Sequence, residues 1–388
     1  MAISAIQNTP ILTTGGFKKL PFRAQTETQE KVSVYHLKDL TLEKIERAKR
    51  AILQECQEKG RTYLGDLETF VQRIQEAPYL VKEGKTLRLV SYTDDPPFDL
   101  DHCLNDLKDA TKLGDLTKMT NISNKIGNFY LFFKNFSEAL KYYHQSLKSG
   151  EQWGDAISIA KAHCKIASVH QALGSYQEAL KHYFICLEKA KALEDALAEG
   201  GIYYNIATVH YLCENFTSAL EFYHMQLSIA ESISNRESQK IAHYCMGGAY
   251  LSLRNYPQAL KSYQSCLERA DEQEDQELIG NVYFNMGNSY DSLNDYPKSL
   301  DSYEKCFESA LRLHDQELIK SVCRALGDIY QDLPDHRKAL ESYQMYFEAA
   351  FRLNDRLAMG EACCRLGRVY ELLNRPHEAK SCYEHAST

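Results

Sequence analysis

The chain has 388 residues, a formal net charge of −8 at pH 7, 44% hydrophobic and 25% charged residues. Residues 1–119 hold 18 basic and 18 acidic side chains, so the acidic excess lies in the remainder, and a dispersed acidic surface argues against nucleic acid, which selects a positive stripe. Twelve cysteines without a CxxC pair, and no apolar run of the roughly 20 residues that cross a bilayer, set the expectation of a reduced, cytoplasmic chain with no membrane insertion.

Residues 1–35 are expected to form a disordered tail, because NTPILTTGG offers turn formers and no periodicity. The acid-free stretch 1–26, with Lys18, Lys19 and Arg23, also suits a mitochondrial presequence, the weaker of the two readings. Residues 36–115 read as an N-terminal helical region. Leu42, Ile45, Ile52 and Cys56 suggest one helix, and Leu64, Leu67, Phe70, Val71 and Ile74 another. EGKT at 83–86 mimics the end of a phosphate-binding loop, but Tyr79 stands where that loop needs its first glycine. TDDPP at 93–97 breaks any helix that enters it, and residues 96–115 align without gaps on 136–155, as a degenerate capping repeat would.

From about residue 116 to 388 a forty-residue step recurs through seven copies. Tyr143, Tyr183, Tyr223, Tyr263, Tyr303, Tyr343 and Tyr383 share one slot, and Gly127, Ala167, Ala207, Gly247, Gly287, Gly327 and Gly367 another. In residues 275–310 the apolar positions Leu278, Ile279, Val282, Tyr283, Met286, Tyr290 and Leu293 trace one helical stripe. Asp275 and its counterparts Asp115, Asp155, Asp195, Asn235, Asp315 and Asp355 suit N-caps. A second start signal falls at Asn135, Ser175, Asn215, Asn255, Asp295 and Asp335, with Pro257 and Pro297 inside first turns. Each copy is therefore predicted to be helix, tight turn, helix. Gly287 and Ser299 mark where the two helices approach closely, and Tyr290 and Tyr303 supply the contact area around them. No single pair buries its own stripe, so the copies must stack.

The spacing of Met286-Gly287, Tyr290, Ser299 and Tyr303 resembles the tetratricopeptide repeat (TPR) family. The forty-residue variant with its acidic cap is similar to the repeats of the LGN/Pins scaffolds, although no GoLoco segment follows. The resemblance implies an all-α, right-handed superhelical solenoid over 116–388, capped by the N-terminal helical region. It also implies a concave groove lined by first helices. Carried over by slot, that groove holds Asn124, Asn128, Tyr204, Tyr211, Tyr244, Phe284, Asn285, Asn288, Arg324, Arg365 and Arg368. The asparagines resemble those that hold an extended peptide backbone in LGN-type arrays. The aromatics would take apolar side chains, and the arginines suit carboxylates. The Lys/Asn/Arg clamp of Hsp70/Hsp90 cofactors is not evident, since Lys165, Gly201 and Asn205 follow Asn124 and Asn128.

No catalytic or metal signature appears. His170 and His210 fill the repeat's tyrosine slot, and cysteines such as Cys186, Cys266 and Cys306 recur as small apolar groups. The function expected is a non-catalytic adaptor without cofactor, gripping a protein or peptide segment that is apolar at one end and acidic at the other. The alternative is a structural subunit of a cytoskeletal or ciliary assembly, held by its edges and outer face. The last copy has Lys380 where six others have leucine, which predicts a partly solvated end over 376–388 that is frayed, or buried by a partner or a second copy.

Overall fold

A computed structural model describes residues 33–36, 79–83, 86–90, 100–271 and 275–386. The proposed helices between residues 42 and 74, and most of the proposed tail, lie outside the described residues. From residue 100 onward every described element that is regular is helical: α1 (Leu100–Leu113), α2 (Leu116–Phe132), α3 (Phe136–Trp153), α4 (Ala156–Ala172), α5 (Tyr176–Ala192), α6 (Ala196–Leu212), α7 (Phe216–Ser232) and α8 (Arg236–Ser252). They continue with α9 (Tyr256–Leu267), α10 (Gln276–Ser292), α11 (Tyr296–Arg312), α12 (Gln316–Asp332), α13 (His336–Arg352), α14 (Arg356–Leu372) and α15 (Pro376–Ala386). The N-terminal region departs from the all-helical expectation. Strands β1 (Ser33–His36), β2 (Tyr79–Glu83) and β3 (Thr86–Val90) form an antiparallel sheet in the order β1-β2-β3. Tyr79 and Val81, with Thr86 and Val90, are β-favouring residues in two short runs. The EGKT segment straddles the β2–β3 connection, with Glu83 paired to Thr86, so it is a hairpin end rather than a phosphate loop.

The chain divides into two compact units between Leu193 and Glu194. In the first, α1 packs on α2, placing Leu107 with Ile126 and Tyr142 in one core, and α2–α3 and α4–α5 are the first two repeats. The second unit holds α6–α7, α8–α9, α10–α11, α12–α13 and α14–α15. Each helix pair is the tightest contact of its region, and each second helix packs on the following first helix within a unit.

Caps fix where these helices begin. The Asp115, Asp155, Asp195, Asn235, Asp315 and Asp355 side chains accept amide hydrogens in their first turns. Asn135, Asn215, Asn255, Asp295 and Asp335 do the same for second helices. Two expected caps fail: Ser175 makes no capping bond, and neither does Asp275. Asp275 is drawn off by another partner, because its carboxylate takes the Lys240 ammonium at 2.6 Å and the Asp271 amide at 2.7 Å. Lys240, only 6% exposed along its side chain, also meets Glu237 at 2.5 Å. Burial works against its charge, but the two carboxylates outweigh it and raise its pKa. Lys320 repeats the arrangement with Asp355 at 2.8 Å and Glu317 at 3.0 Å. Gly200, Gly280 and Gly360 hold the same slot in the repeats between. A buried lysine thus ties every second first helix of this unit to the N-terminus of the next.

The slot tyrosines close each pair. Tyr143, Tyr263 and Tyr343 are fully buried, and Tyr183, Tyr223 and Tyr303 are 1% exposed. A Cβ at Gly287 would lie 2.5 Å from the Tyr303 ring, and one at Gly127, Gly247 or Gly327 would meet Tyr143, Tyr263 or Tyr343 equally closely. Glycine at these positions is what lets the ring lie flat on the partner helix. Ser299 reinforces the approach, its hydroxyl donating to the Gly287 carbonyl at 2.9 Å.

Candidate partner-binding face

The eleven groove candidates do not form one constellation. Asn124 and Asn128 sit on α2 in the first unit, and the other nine on α6, α8, α10, α12 and α14 of the second. Within the second unit, α6 touches α8, α8 touches α10 and α10 touches α12. First helices therefore make one continuous face, and the candidate slots lie along it.

In the first unit, Asn128 accepts the Tyr143 hydroxyl at 2.7 Å. Asn124 keeps its side-chain oxygen buried without a hydrogen-bond partner. Lys165, half-buried on α4, has its pKa lowered by burial.

In the second unit, Tyr204, Tyr244 and Phe284 hold the same slot of three consecutive repeats. Each stays half-buried and rests on its own repeat's slot tyrosine, with ring centroids 6.3, 6.3 and 5.8 Å apart. Tyr211 and Tyr244 pack with Tyr204 around one core that includes Tyr223, Cys245 and Met246. Side chains also link one first helix to the next. Tyr211 and Ser252 share a hydrogen bond at 3.1 Å, and Tyr244 is hydrogen-bonded to Asn285. The aromatic stripe is a wall fastened across three helices.

The amides are less available than their residue types suggest. Asn285 is 9% exposed and engages Tyr244, while Asn288 accepts the Tyr303 hydroxyl at 2.7 Å. Asp328 occupies the slot of Asn128 and Asn288 and likewise accepts from Tyr343 at 2.7 Å. These polar residues are partners of the packing tyrosines fifteen positions ahead. That regularity is legible in the sequence as a polar residue next to the repeat's glycine, and the groove assignment passed over it.

The three arginines behave differently from one another. Arg365 donates to Asp328 of the preceding first helix and to Glu361 at 2.9 and 3.1 Å, and stands 5.7 Å over the Tyr343 ring. Glu361 also accepts the Tyr346 hydroxyl at 2.9 Å. Burial pushes the Glu361 pKa up, but the Tyr346 and Arg365 hydrogen bonds outweigh it and leave the carboxyl below its ordinary range. Arg365 is therefore a strut within the fold. Arg324 reaches Asp328 only at 3.9 Å, and Arg368 is exposed and makes no ion pair among the described residues. Asp291, half-buried nearby, has its pKa raised by burial and by the charges of Asp332 and Asp328. The charged end of the face is therefore mixed: Arg368 is an exposed cation, and Arg324 is held only by its long contact to Asp328.

Among the described residues, no group of three His, Cys, Asp or Glu side chains could hold a metal ion, and no helix is long and apolar enough to cross a membrane.

Family models of the tetratricopeptide repeat match residues 118–194 and 239–312, and a second such model matches 360–388. No curated protein matches the sequence. Among solved structures, the apo form of RapI is 14% identical with a TM-score of 0.54, covering 69% of this chain and 96% of its own. Aspartyl phosphate phosphatase F from Bacillus subtilis is 13% identical with a TM-score of 0.53, covering 88% of each chain. A signal-transduction ATPase with a tetratricopeptide repeat sensor from Pyrococcus horikoshii is 20% identical with a TM-score of 0.51, covering 75% of this chain and 44% of its own. At these identities the likeness is one of fold.

Proposed function

Because the chain is a tetratricopeptide repeat protein, we propose that it is a protein-interaction scaffold whose first-helix face in residues 194–388 receives a segment of a partner. The observation that carries this reading is the aromatic stripe. Tyr204, Tyr244 and Phe284 recur in one slot, are fastened from behind and stay half-buried rather than sealed. Large aromatics held rigidly in one row give contact area at little entropic cost. The partner segment is extended or helical, with apolar side chains against this stripe.

Beyond the stripe, Arg324 and Arg368 offer a seat for a carboxylate. Asp291, Asp328 and Asp332 crowd the same end, so the seat suits a single carboxylate and repels an acidic run. Arg365 holds α14 to α12 rather than meeting the partner, so reversing its charge tests the fold more than the binding. The informative variants are Phe284→Ala, and Arg324→Glu with Arg368→Glu. Affinity capture from cells should lose the partner in each, while circular dichroism keeps the helix content of the parent. Retention of the same partners by both variants would remove this face as the binding site. One observation favours the other reading, a subunit held by its edge: Phe351 is 63% and Leu357 86% exposed on either side of the α13–α14 turn. Loss of partners on Phe351→Ser with Leu357→Ser, and not on the face variants, would select it.

A further inference from the structure

Four slots meet where a second helix, the following first helix and its own second helix pack together. At α3, α4 and α5 these four slots are His144, His163, His170 and His182. Forty residues on in the sequence, the corresponding residues are Phe184, Tyr203, His210 and Phe222, all rings. Packing alone does not call for four imidazoles here, because one repeat later phenyl and phenol rings fill three of these slots and only His210 keeps the imidazole.

The four rings are in mutual contact or field. His163 and His182 place their Nδ1 atoms 2.8 Å apart, with centroids at 5.1 Å. His170 stacks on His182 at 5.9 Å and 8°, as His210 stacks on Phe222 at 5.4 Å and 10°. His163 is 9% exposed, and the Nδ1 of His170 is buried without a hydrogen-bond partner. Two Nδ1 atoms at 2.8 Å need one proton between them, so one ring carries Nδ1–H and its partner presents a lone pair. A proton added at the donor ring's Nε2 leaves that bond intact. A second added proton must go to the accepting Nδ1, which turns the contact into two N–H groups facing each other.

We propose that the α3–α4–α5 seam is a proton-operated joint, closed by the His163–His182 bond and opened when both rings become imidazolium. Every charged neighbour but one acts in the same sense. His144 on α3 and Lys189 on α5 oppose a charge on His163 after burial does. Burial, then His163, His170 and His144, oppose one on His182 and hold it down to about 4, with only Glu178 acting the other way. Glu178 is exposed and already paired with Lys181 at 2.6 Å. An unfolded histidine titrates near about 6.5. The seam's contribution is therefore fully present above that pH and is withdrawn as pH falls toward about 4. The second unit does not repeat the bond, because Ser262 stands in the slot of His182. His224 and His243 take the slots of His144 and His163, and His243 is likewise held down to about 4, by burial and then by Arg269.

The test uses the full-length chain with ¹⁵N-labelled histidine, and hydrogen exchange corrected for the intrinsic pH dependence. At pH 7.5 one of His163 and His182 should show the Nδ1–H tautomer, and neither should titrate near 6.5. Between pH 6.5 and 4.5, protection of α4 and α5 should fall at least tenfold. His182→Phe, and His163→Tyr with His182→Phe, put into these slots the residues the next repeat uses, and should cut that fall to well under tenfold, the double variant furthest. Should the double variant fail to fold, the single variant gives the same reading. Two Nε2–H tautomers titrating near 6.5, or the same loss of protection in a folded variant, would overturn the proposal.

Discussion

Gly287→Leu tests the close approach on which every helix pair depends. The first carbon added at 287 would lie 2.5, 2.6 and 2.9 Å from Cε1, Cδ1 and Cζ of Tyr303. That ring cannot swing clear. It is 1% exposed, its hydroxyl is held by Asn288 at 2.7 Å, and Ser299 ties α11 to the Gly287 carbonyl. Leucine must therefore part α10 from α11. Overpacking costs about 1–3 kcal/mol, and loss of the Tyr303–Asn288 bond adds about 1 kcal/mol. A repeat array does not unfold as one two-state block, so a global melting curve is the wrong assay. Native-state hydrogen exchange of α10 and α11 is the right one: a loss of about 3 kcal/mol corresponds to roughly 150-fold weaker local protection. Gly287→Ala is the control. Alanine brings the same first carbon to 2.5 Å from the Tyr303 ring, offset in part by about 1 kcal/mol of helix propensity over glycine, so it should weaken protection of α10 and α11 less than leucine does. Undiminished protection in the leucine variant would refute the close-contact argument.

The Tyr263 hydroxyl is buried without a partner, because Gly248 stands where Asn288 serves Tyr303. Tyr263→Phe should accordingly leave local stability unchanged or raise it by up to about 1 kcal/mol, whereas Tyr303→Phe should lose about 1 kcal/mol, both read by native-state hydrogen exchange of the helix pair concerned. Gly248→Ser should recover part of the missing bond, as Ser168 reaches Tyr183 at 3.2 Å. Hydrogen bonds from Lys320 and then the Ala358 amide hold the Asp355 carboxyl below the ordinary range. Its stabilisation is present above about pH 4 and lost as pH falls through the lowered value, so Asp355→Asn should flatten the acid limb of a pH–stability curve.

The repeat was legible because its signals are local and redundant. The slot tyrosines, the glycines opposite them and most of the caps each name a helix end or a contact without reference to the rest of the chain. Asp275 fails as a cap because its carboxylate accepts the Asp271 amide, a competitor that no cap pattern records; Asp355 binds Lys320 across 35 residues and still caps. The sheet at 33–36, 79–83 and 86–90 escaped because its strands are only four or five residues long and its first strand pairs across more than forty residues. In the candidate face, residue type was legible and commitment was not. Asn285, Asn288 and Arg365 have the chemistry of peptide-binding groups, yet each spends it on a tyrosine or a carboxylate of the fold. The four-histidine seam was visible only slot by slot, and His163 and His182 acquire meaning when α4 and α5 bring them together.

The central claim is that a partner segment lies along the first helices of residues 194–388. Replacing Phe284 with p-benzoylphenylalanine, a near neighbour in shape, puts a photoreactive ring in the middle of that face. The same substitution at Lys261, exposed on α9, marks a second helix. Irradiation in cells should give a discrete cross-linked partner band from position 284, lost when Arg324→Glu and Arg368→Glu are added, and none from position 261. A band from 261 with none from 284 would contradict the account.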